Sequence, residues 1–245
     1  MHRRLRIARL CRRLSIARPI ERGMVALVFL ALASAVASGQ PSVRTPDGLK
    51  LVFEDRFDQG LDRWETTDDA SWGIVAVDKN PSLELNKSIS AYAPKVRSPH
   101  NIALIRNLQA SDFVMTFRVR SLEDRGNHRD CCVFFGHQDP DHFYYVHLGA
   151  KPDPASGQIM IVDGSPRRPL TKNERSVPWD DDWHQVKLVR DARSGRIEIF
   201  FDDMSAPLMT IEDRTFQTGR LGIGSFDDRN AYDDVRVYVP VGSTR

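Results

Sequence analysis

Residues 131–149 read CCVFFGHQDPDHFYYVHLG. Adjacent thiols, three imidazoles and two carboxylates in one short stretch are the groups from which metal centres and acid–base sites are built. The spacing argues against the simplest such centre. His128, His137, His142 and His147 do not fall into the compact ligand pairs of structural zinc sites. Cys131 and Cys132 cannot close a usual disulfide without a strained ring, and in an extended strand their side chains leave opposite faces. The expectation is one thiol acting as a small buried apolar group and the other near the opposite surface, with a redox or metal role as the alternative. Asp139-Pro140-Asp141 is turn chemistry, because proline presets φ and the aspartates bond locally to backbone. The stretch therefore predicts strand, turn, strand, with Tyr144, Val146 and Leu148 on one face and Phe143, Tyr145 and His147 on the other.

The elements that must position these groups are short. From residue 49 onward, runs rich in Val, Ile, Phe and Tyr recur, each closed by Gly, Pro, Asp or Asn. They include LKLVFEDRF, WGIVAVD, SLEL, NIALIR, DFVMTFRVRS, WHQVKLVRD, GRIEIFFDD, PLMTIED, GRLGIGSF and YDDVRVYVP, and no run of helical period lasts three turns. This is the pattern of an all-β sandwich or barrel in one domain. In DFVMTFRVRS, Phe113, Met115, Phe117 and Val119 alternate with Thr116, Arg118 and Arg120, so the arginines face away from the core. DARSGR supplies a second hairpin turn, with Gly195 free to take positive φ.

The first 37 residues differ from the rest. Eight arginines precede MVALVFLALASAVASG, a short apolar run ending at Ala35-Val36-Ala37. That is the layout of a secretory signal peptide, too short in its apolar part for a membrane span. It predicts export to the periplasm or beyond, with retention of the leader as an anchor as the alternative. Residues 38–48 read as a linker, 49–240 as the domain and 241–245 as a tail. Without the leader, 27 basic side chains face 32 acidic ones, so the chain is acidic and a nucleic-acid partner loses its electrostatic support. Cys11 leaves with the leader.

The ordered segments FEDRFDQGLDRWE, WGIV, DFVMTFRVRS, VFFGHQDPDHFYYVHLG, WHQVKLVRDARSGRIEIFFDD and GRLGIGSFDDRNAYDDVRVY together resemble the concanavalin A-like lectin/glucanase superfamily. The resemblance is to its laminin-G-like form, near the bacterial 3-keto-disaccharide hydrolase-like domains. It covers about residues 49–240 and implies a two-sheet antiparallel jelly-roll sandwich. The glutamine-histidine-glycine element usual near the C-terminal end of those hydrolases is replaced here by GIGSFDDRNAYDDV. Laminarinase-like enzymes of this fold set carboxylates at alternate positions of one strand, whereas Glu198 is followed two residues on by Phe200. The strand motifs of the alginate-lyase branch are likewise missing. The fold also implies one structural Ca²⁺ between first and last strands, with Glu54, Asp55 and Asp234 as ligands. The alternative is that Asp233 and Asp234 are edge charges that discourage strand pairing. No organic cofactor is expected.

The expected function is glycan or polysaccharide recognition on the outer face of one sheet. Phe143, Tyr145 and Trp179 would stack on sugar rings, and Arg118, Arg120, His147 and Lys187 would bond to hydroxyl or carboxylate groups. Trp64, Trp72 and Trp183 are expected at the core or its margin, and Trp179 in an exposed loop. The alternative is a glycan-cleaving enzyme, 3-keto-glycoside hydrolase-like or polysaccharide lyase-like, with His147 or Tyr145 moving the proton and Arg118 stabilising the anion. A second alternative is a cell-surface adhesion or scaffold module.

Overall fold

The structure, a computed structural model, describes residues 47–87 and 89–242. The expected leader, residues 38–46 of the linker and residues 243–245 of the tail lie outside the described residues. Fifteen strands follow in order: β1 Leu49–Asp55, β2 Trp64–Thr66, β3 Trp72–Val77, β4 Asn80–Leu85, β5 Asn101–Ala110, β6 Phe113–Ser121, β7 Cys132–Asp139 and β8 His142–His147, then β9 Gln158–Asp163, β10 Arg168–Pro169, β11 His184–Asp191, β12 Arg196–Phe201, β13 Met209–Glu212, β14 Gly219–Ser225 and β15 Asn230–Pro240. Two 3₁₀ turns, Asp69–Ser71 and Gly126–His128, are the helical elements among the described residues. The short strands β2 and β10 are not among the runs expected from sequence.

The strands form two antiparallel sheets. One has eight strands in the order β13-β12-β11-β6-β15-β4-β3, with β1 also paired to β15, and the other has seven in the order β10-β9-β8-β7-β14-β5-β2. The chain changes sheet repeatedly, so each layer is assembled from distant segments. Alternation decides what lies between the layers. β6 buries Phe113, Met115, Phe117 and Val119, and they meet Val133, Phe135, Tyr144, Val146, Ile159 and Ile161 from the other sheet in one apolar core. Cys131 joins that core, while Cys132 points to the opposite face of the seven-stranded sheet, as the extended backbone requires. Both thiols are free and fully buried. The expected turns are present, with Gly195 at φ 85° in the β11–β12 connection. Gly224 on β14 is fixed by close approach, since a Cβ there would sit 1.9 Å from the Asn101 carbonyl oxygen.

The start of the domain turns on one carboxylate. Asp55 Oδ1 accepts from the Phe57 amide at 2.8 Å and Oδ2 from Trp64 Nε1 at 3.0 Å. Phe57 stands at φ 61°, an uncommon conformation for an aromatic residue, and its ring and that of Trp64 are buried 5.7 Å apart. Asp55→Ala orphans two buried donors, each worth about 1.5–3 kcal/mol when bonded to a charged acceptor. It should lower stability by about 3 kcal/mol or more, read as a lower denaturant midpoint at unchanged m-value. A midpoint equal to wild type would show that the corner does not depend on Asp55.

Candidate functional site

The face of the seven-stranded sheet that points away from the core is itself covered. In the β7–β8 register Cys132 opposes His147 and Phe134 opposes Tyr145. These residues, with Phe143, Ile102, Leu104, Met160 and Val162, form a second buried apolar cluster. Its lid is Val96, from the segment between β4 and β5, together with Phe226, just after β14. An aromatic row runs across the strands: His137 stacks on Phe143 at 5.2 Å, Phe134 lies 5.9 Å from Tyr145, and His147 stacks on Phe226 at 5.2 Å. Arg167 closes the row, its guanidinium 4.1 Å from the Phe226 ring centroid. Phe143 and Tyr145 expose 0% of their surface, so the expected stacking rings are structural. The sequence carries a signal for this: CCVFF and FYYV are nearly continuous apolar runs, the pattern of strands buried on both faces.

The expected cationic partners lie elsewhere. Arg118 and Arg120 on β6 and Lys187 on β11 project from the outer face of the eight-stranded sheet. Alternation assigned each to an outer face correctly, but the two sheets have separate outer faces, and Arg118 does not converge with Tyr145 and His147. Arg118 pairs with Asp233 and Asp234 and lies over the Trp183 ring at 4.9 Å. Arg120 bonds Asp78 at 3.1 Å. Lys187 Nζ donates to the Met204 carbonyl at 2.7 Å above the Phe200 ring. Trp179, expected in an exposed loop, is partly buried against the core, and its Nε1 donates to the Leu148 carbonyl at 2.7 Å. Trp64 and Trp72 are buried as expected.

The residues assigned to calcium do not face a common point. Glu54 and Asp55 leave opposite sides of β1, and Asp55 is bonded inward to Trp64. Glu54 and Asp234 are both held by Arg236, at 3.0 Å each. Arg236 thus pairs with Glu54 and Asp234, while Asp55 is bonded by the Phe57 amide and Trp64.

What the fold does gather at the end of the covered face is a group that spacing does not reveal. Asp130, His147 and Asp228 line a cavity of about 730 Å³, rimmed by Arg97, Arg125 and Arg167. A second cavity of about 570 Å³, under Ile89 and Tyr92, shares Arg97 and Phe226 with it. Asp130 precedes β7, His147 ends β8, and Asp228 lies in the β14–β15 loop, so the β7 pairings to β8 and β14 bring the three together. The acids are tied by backbone and hydroxyl bonds. The Asp130 amide donates to Asp228 Oδ2 at 2.6 Å, Ser225 Oγ donates to Asp130 Oδ1 at 2.6 Å, and the Asp228 amide donates to Ser225 Oγ at 3.0 Å. Asn230 Nδ2 donates to the Asp130 carbonyl at 2.8 Å. His147 Nε2 sits 3.1 Å from Asp130 Oδ2, and its Nδ1 donates to the Ala155 carbonyl at 3.0 Å. The 149–157 loop delivers that carbonyl by folding on Asp153, whose Oδ1 accepts from the Ala155 and Ser156 amides.

Burial and the neighbouring Asp130 charge push the Asp228 carboxyl up to about 7. Asp130 is held below its ordinary value: burial opposes ionisation, but the His147 ring and the Ser225 hydroxyl favour the charged form. Two neighbouring carboxyls with divergent affinities for a proton, beside an imidazole and arginines, can bind hydroxyl-rich ligands and can also hold a proton for transfer.

No family model matches the chain, and no curated protein matches it in sequence. Among solved structures it is similar to the carbohydrate-binding module CBM66 from Bacillus subtilis, with a TM-score of 0.51 and 15% identity over 71% of this chain and 93% of that one. It is also similar to domain 4 of AbnA, an extracellular GH43 arabinanase from Geobacillus stearothermophilus in complex with arabinotriose (TM-score 0.52, 10% identity, 79% and 94% covered). A third similarity is to xylan beta-1,4-xylosidase from Bacillus halodurans C-125 (TM-score 0.51, 16% identity, 80% and 40% covered). At these identities the likeness is one of fold. The chain has the concanavalin A-like two-sheet sandwich that the sequence segments resemble.

His137 gives the covered face a pH signature. Burial, then the Arg220 charge, lowers its pKa to about 4. The unfolded ring titrates near 6.5, so at this group the unfolded chain binds the extra proton between those values and its contribution to stability falls as pH drops from about 6.5 to 4, opposed by Asp228, whose raised pKa adds stability over the same range. His137→Phe keeps the ring on Phe143, and its melting temperature should fall less steeply across that window. An identical slope in the two proteins would assign the acid sensitivity to other groups.

Proposed function

We propose that the protein is an exported glycan-binding domain whose sugar site is the cleft between Arg97, Arg167 and the Asp130–His147–Asp228 group. The observation that carries this is the cleft's composition and size on this fold. Sugar hydroxyls donate to carboxylates and accept from guanidinium groups, and about 730 Å³ is in the usual range for a small-molecule site. The structural neighbours supply context: one is a carbohydrate-binding module and another holds arabinotriose. The site is the loop-built end of the sheet, while the aromatic row beneath it serves as a floor. The export assignment rests on the leader pattern.

A glycan array probed with the mature chain tests this. Arg167→Ala should reduce binding to the best hit by about tenfold or more, matching one charge-assisted hydrogen bond of about 1.5–3 kcal/mol, at near-wild-type melting temperature. Tyr145→Ala, by contrast, should lose about 3–5 kcal/mol of stability as a buried aromatic truncation. A blank array would remove the glycan reading and favour the scaffold alternative.

The buried Asp228 supports a second reading, in which it donates a proton to a leaving group. Incubating each hit with protein and assaying reducing ends and unsaturated products separates the two. Asp228→Asn should then abolish product formation while binding persists. If wild-type protein forms no product from any hit, the site is one of recognition.

A further inference from the structure

The same end of the sheet carries a second arrangement, which shares Asp130 and His147 with the proposed sugar site. Cys132 and His147 are direct partners across β7 and β8, so their side chains leave one face side by side. Asp130 lies two residues before Cys132. The Cys132 sulfur, a His147 ring nitrogen and an Asp130 carboxylate oxygen all lie within 4.8 Å of one another, and all three residues are buried. A carbonyl only accepts, so His147 Nδ1 must donate to Ala155. In the neutral ring, Nε2 is then a lone pair. That atom is buried and faces Asp130 Oδ2 at 3.1 Å. A proton or a metal cation between the two atoms would satisfy both.

We propose that Asp130, Cys132 and His147 are a three-ligand site for a borderline transition-metal ion, with Zn²⁺ the best match. A thiolate, an imidazole and a carboxylate suit Zn²⁺ and disfavour Ca²⁺ or Mg²⁺. Ligands about 2.0–2.1 Å from a tetrahedral zinc stand roughly 3.3 Å apart, close to the observed nitrogen–oxygen separation. The supporting contacts are those that orient metal ligands: the Ala155 carbonyl on the second ring nitrogen and the Ser225 hydroxyl on the second carboxylate oxygen. Coordination releases the Cys132 thiol proton to solvent. Asp130 and His147 both line the cleft, which leaves the fourth position for water or a ligand oxygen. Ligand spacing along the chain conceals the site, because cross-strand pairing, not sequence proximity, makes it.

The test uses mature protein stripped with a chelator and titrated with Zn²⁺ by calorimetry and with Co²⁺ by absorption. One equivalent should bind, Ca²⁺ should not compete, and Co²⁺ should give a thiolate charge-transfer band that disappears in Cys132→Ser. Ser225→Ala, which removes the hydroxyl that supports Asp130 and with it the acceptor of the Asp228 amide, should weaken Zn²⁺ by about 10–100-fold in protein whose melting temperature shows it folded. Absence of the cobalt band in folded wild-type protein would overturn the proposal and leave an imidazolium–aspartate pair. Zn²⁺ affinity unchanged from wild type in both Cys132→Ser and His147→Gln would overturn it as well. The titration contains no glycan, so its outcome is independent of the array.

Discussion

A β-sheet covered on both sides must satisfy every polar group it carries from within, because water reaches neither face. The middle of the seven-stranded sheet is such a place. Strands β7, β8 and β9 press one face against the sandwich core and the other against Val96 and Phe226. A polar residue admitted there is costly unless it finds a partner within the protein. Ser225, Asp228, Asp130 and Asn230 accordingly form one connected chain of hydrogen bonds at the end of these strands, anchored further on by the Tyr232 hydroxyl donating to the Gly224 carbonyl. The site is the point where that internal network reaches the surface. Its acids are buried, and burial is what moves the proton affinity of Asp228.

The opposite outer surface obeys a different rule. On the eight-stranded sheet, Arg118, Arg236, Glu54, Asp233 and Asp234 neutralise one another across β1, β6 and β15. The bulge between Asp233 and Arg236, with Asp234 at φ 52°, lets both acids reach Arg118 from a single strand. Partly exposed pairs of this kind contribute little stability individually. Their effect is to saturate the charges, so that a ligand landing there must first displace an internal partner. Cationic side chains that look available along a strand are in this protein already committed.

Local patterning was legible in the sequence, and long-range placement was not. Period-two alternation put Phe117 inside and Arg118 outside, divided Cys131 from Cys132, and located the turns at Asp139–Asp141 and at Gly195. Alternation states that a side chain faces away from a core, but not which of two sheets carries its strand. Arg118 and Tyr145 thus share a property without sharing a surface. It is equally silent on what covers an outer face. Val96 reaches Tyr145's neighbourhood from a segment distant in sequence, and only the unbroken apolar character of CCVFF and FYYV hinted that such a cover existed. The site acids were harder still, since Asp130 and Asp228 are 98 positions apart and meet through strand pairing and the loop that follows β14.

The division of labour between sandwich and loops explains why fold likeness stops short of the site. Neighbours at 10–16% identity share two layers of alternating strands, and many sequences satisfy that requirement. The cleft is made of segments that the layers merely hold: residues 89–100 supply Arg97, the 149–157 loop supplies the Ala155 carbonyl, the approach to β10 supplies Arg167, and the β14–β15 connection supplies Phe226 and Asp228. Loops on a rigid scaffold can change chemistry without disturbing the core. Cys132 and His147 are the exception, because they sit on the strands themselves. Their relation is fixed by the β7–β8 register, and a one-residue slip of either strand would send that strand's member of the pair to the opposite face. Whatever the loops bind, the thiol–imidazole pair beneath them is as fixed as the sheet.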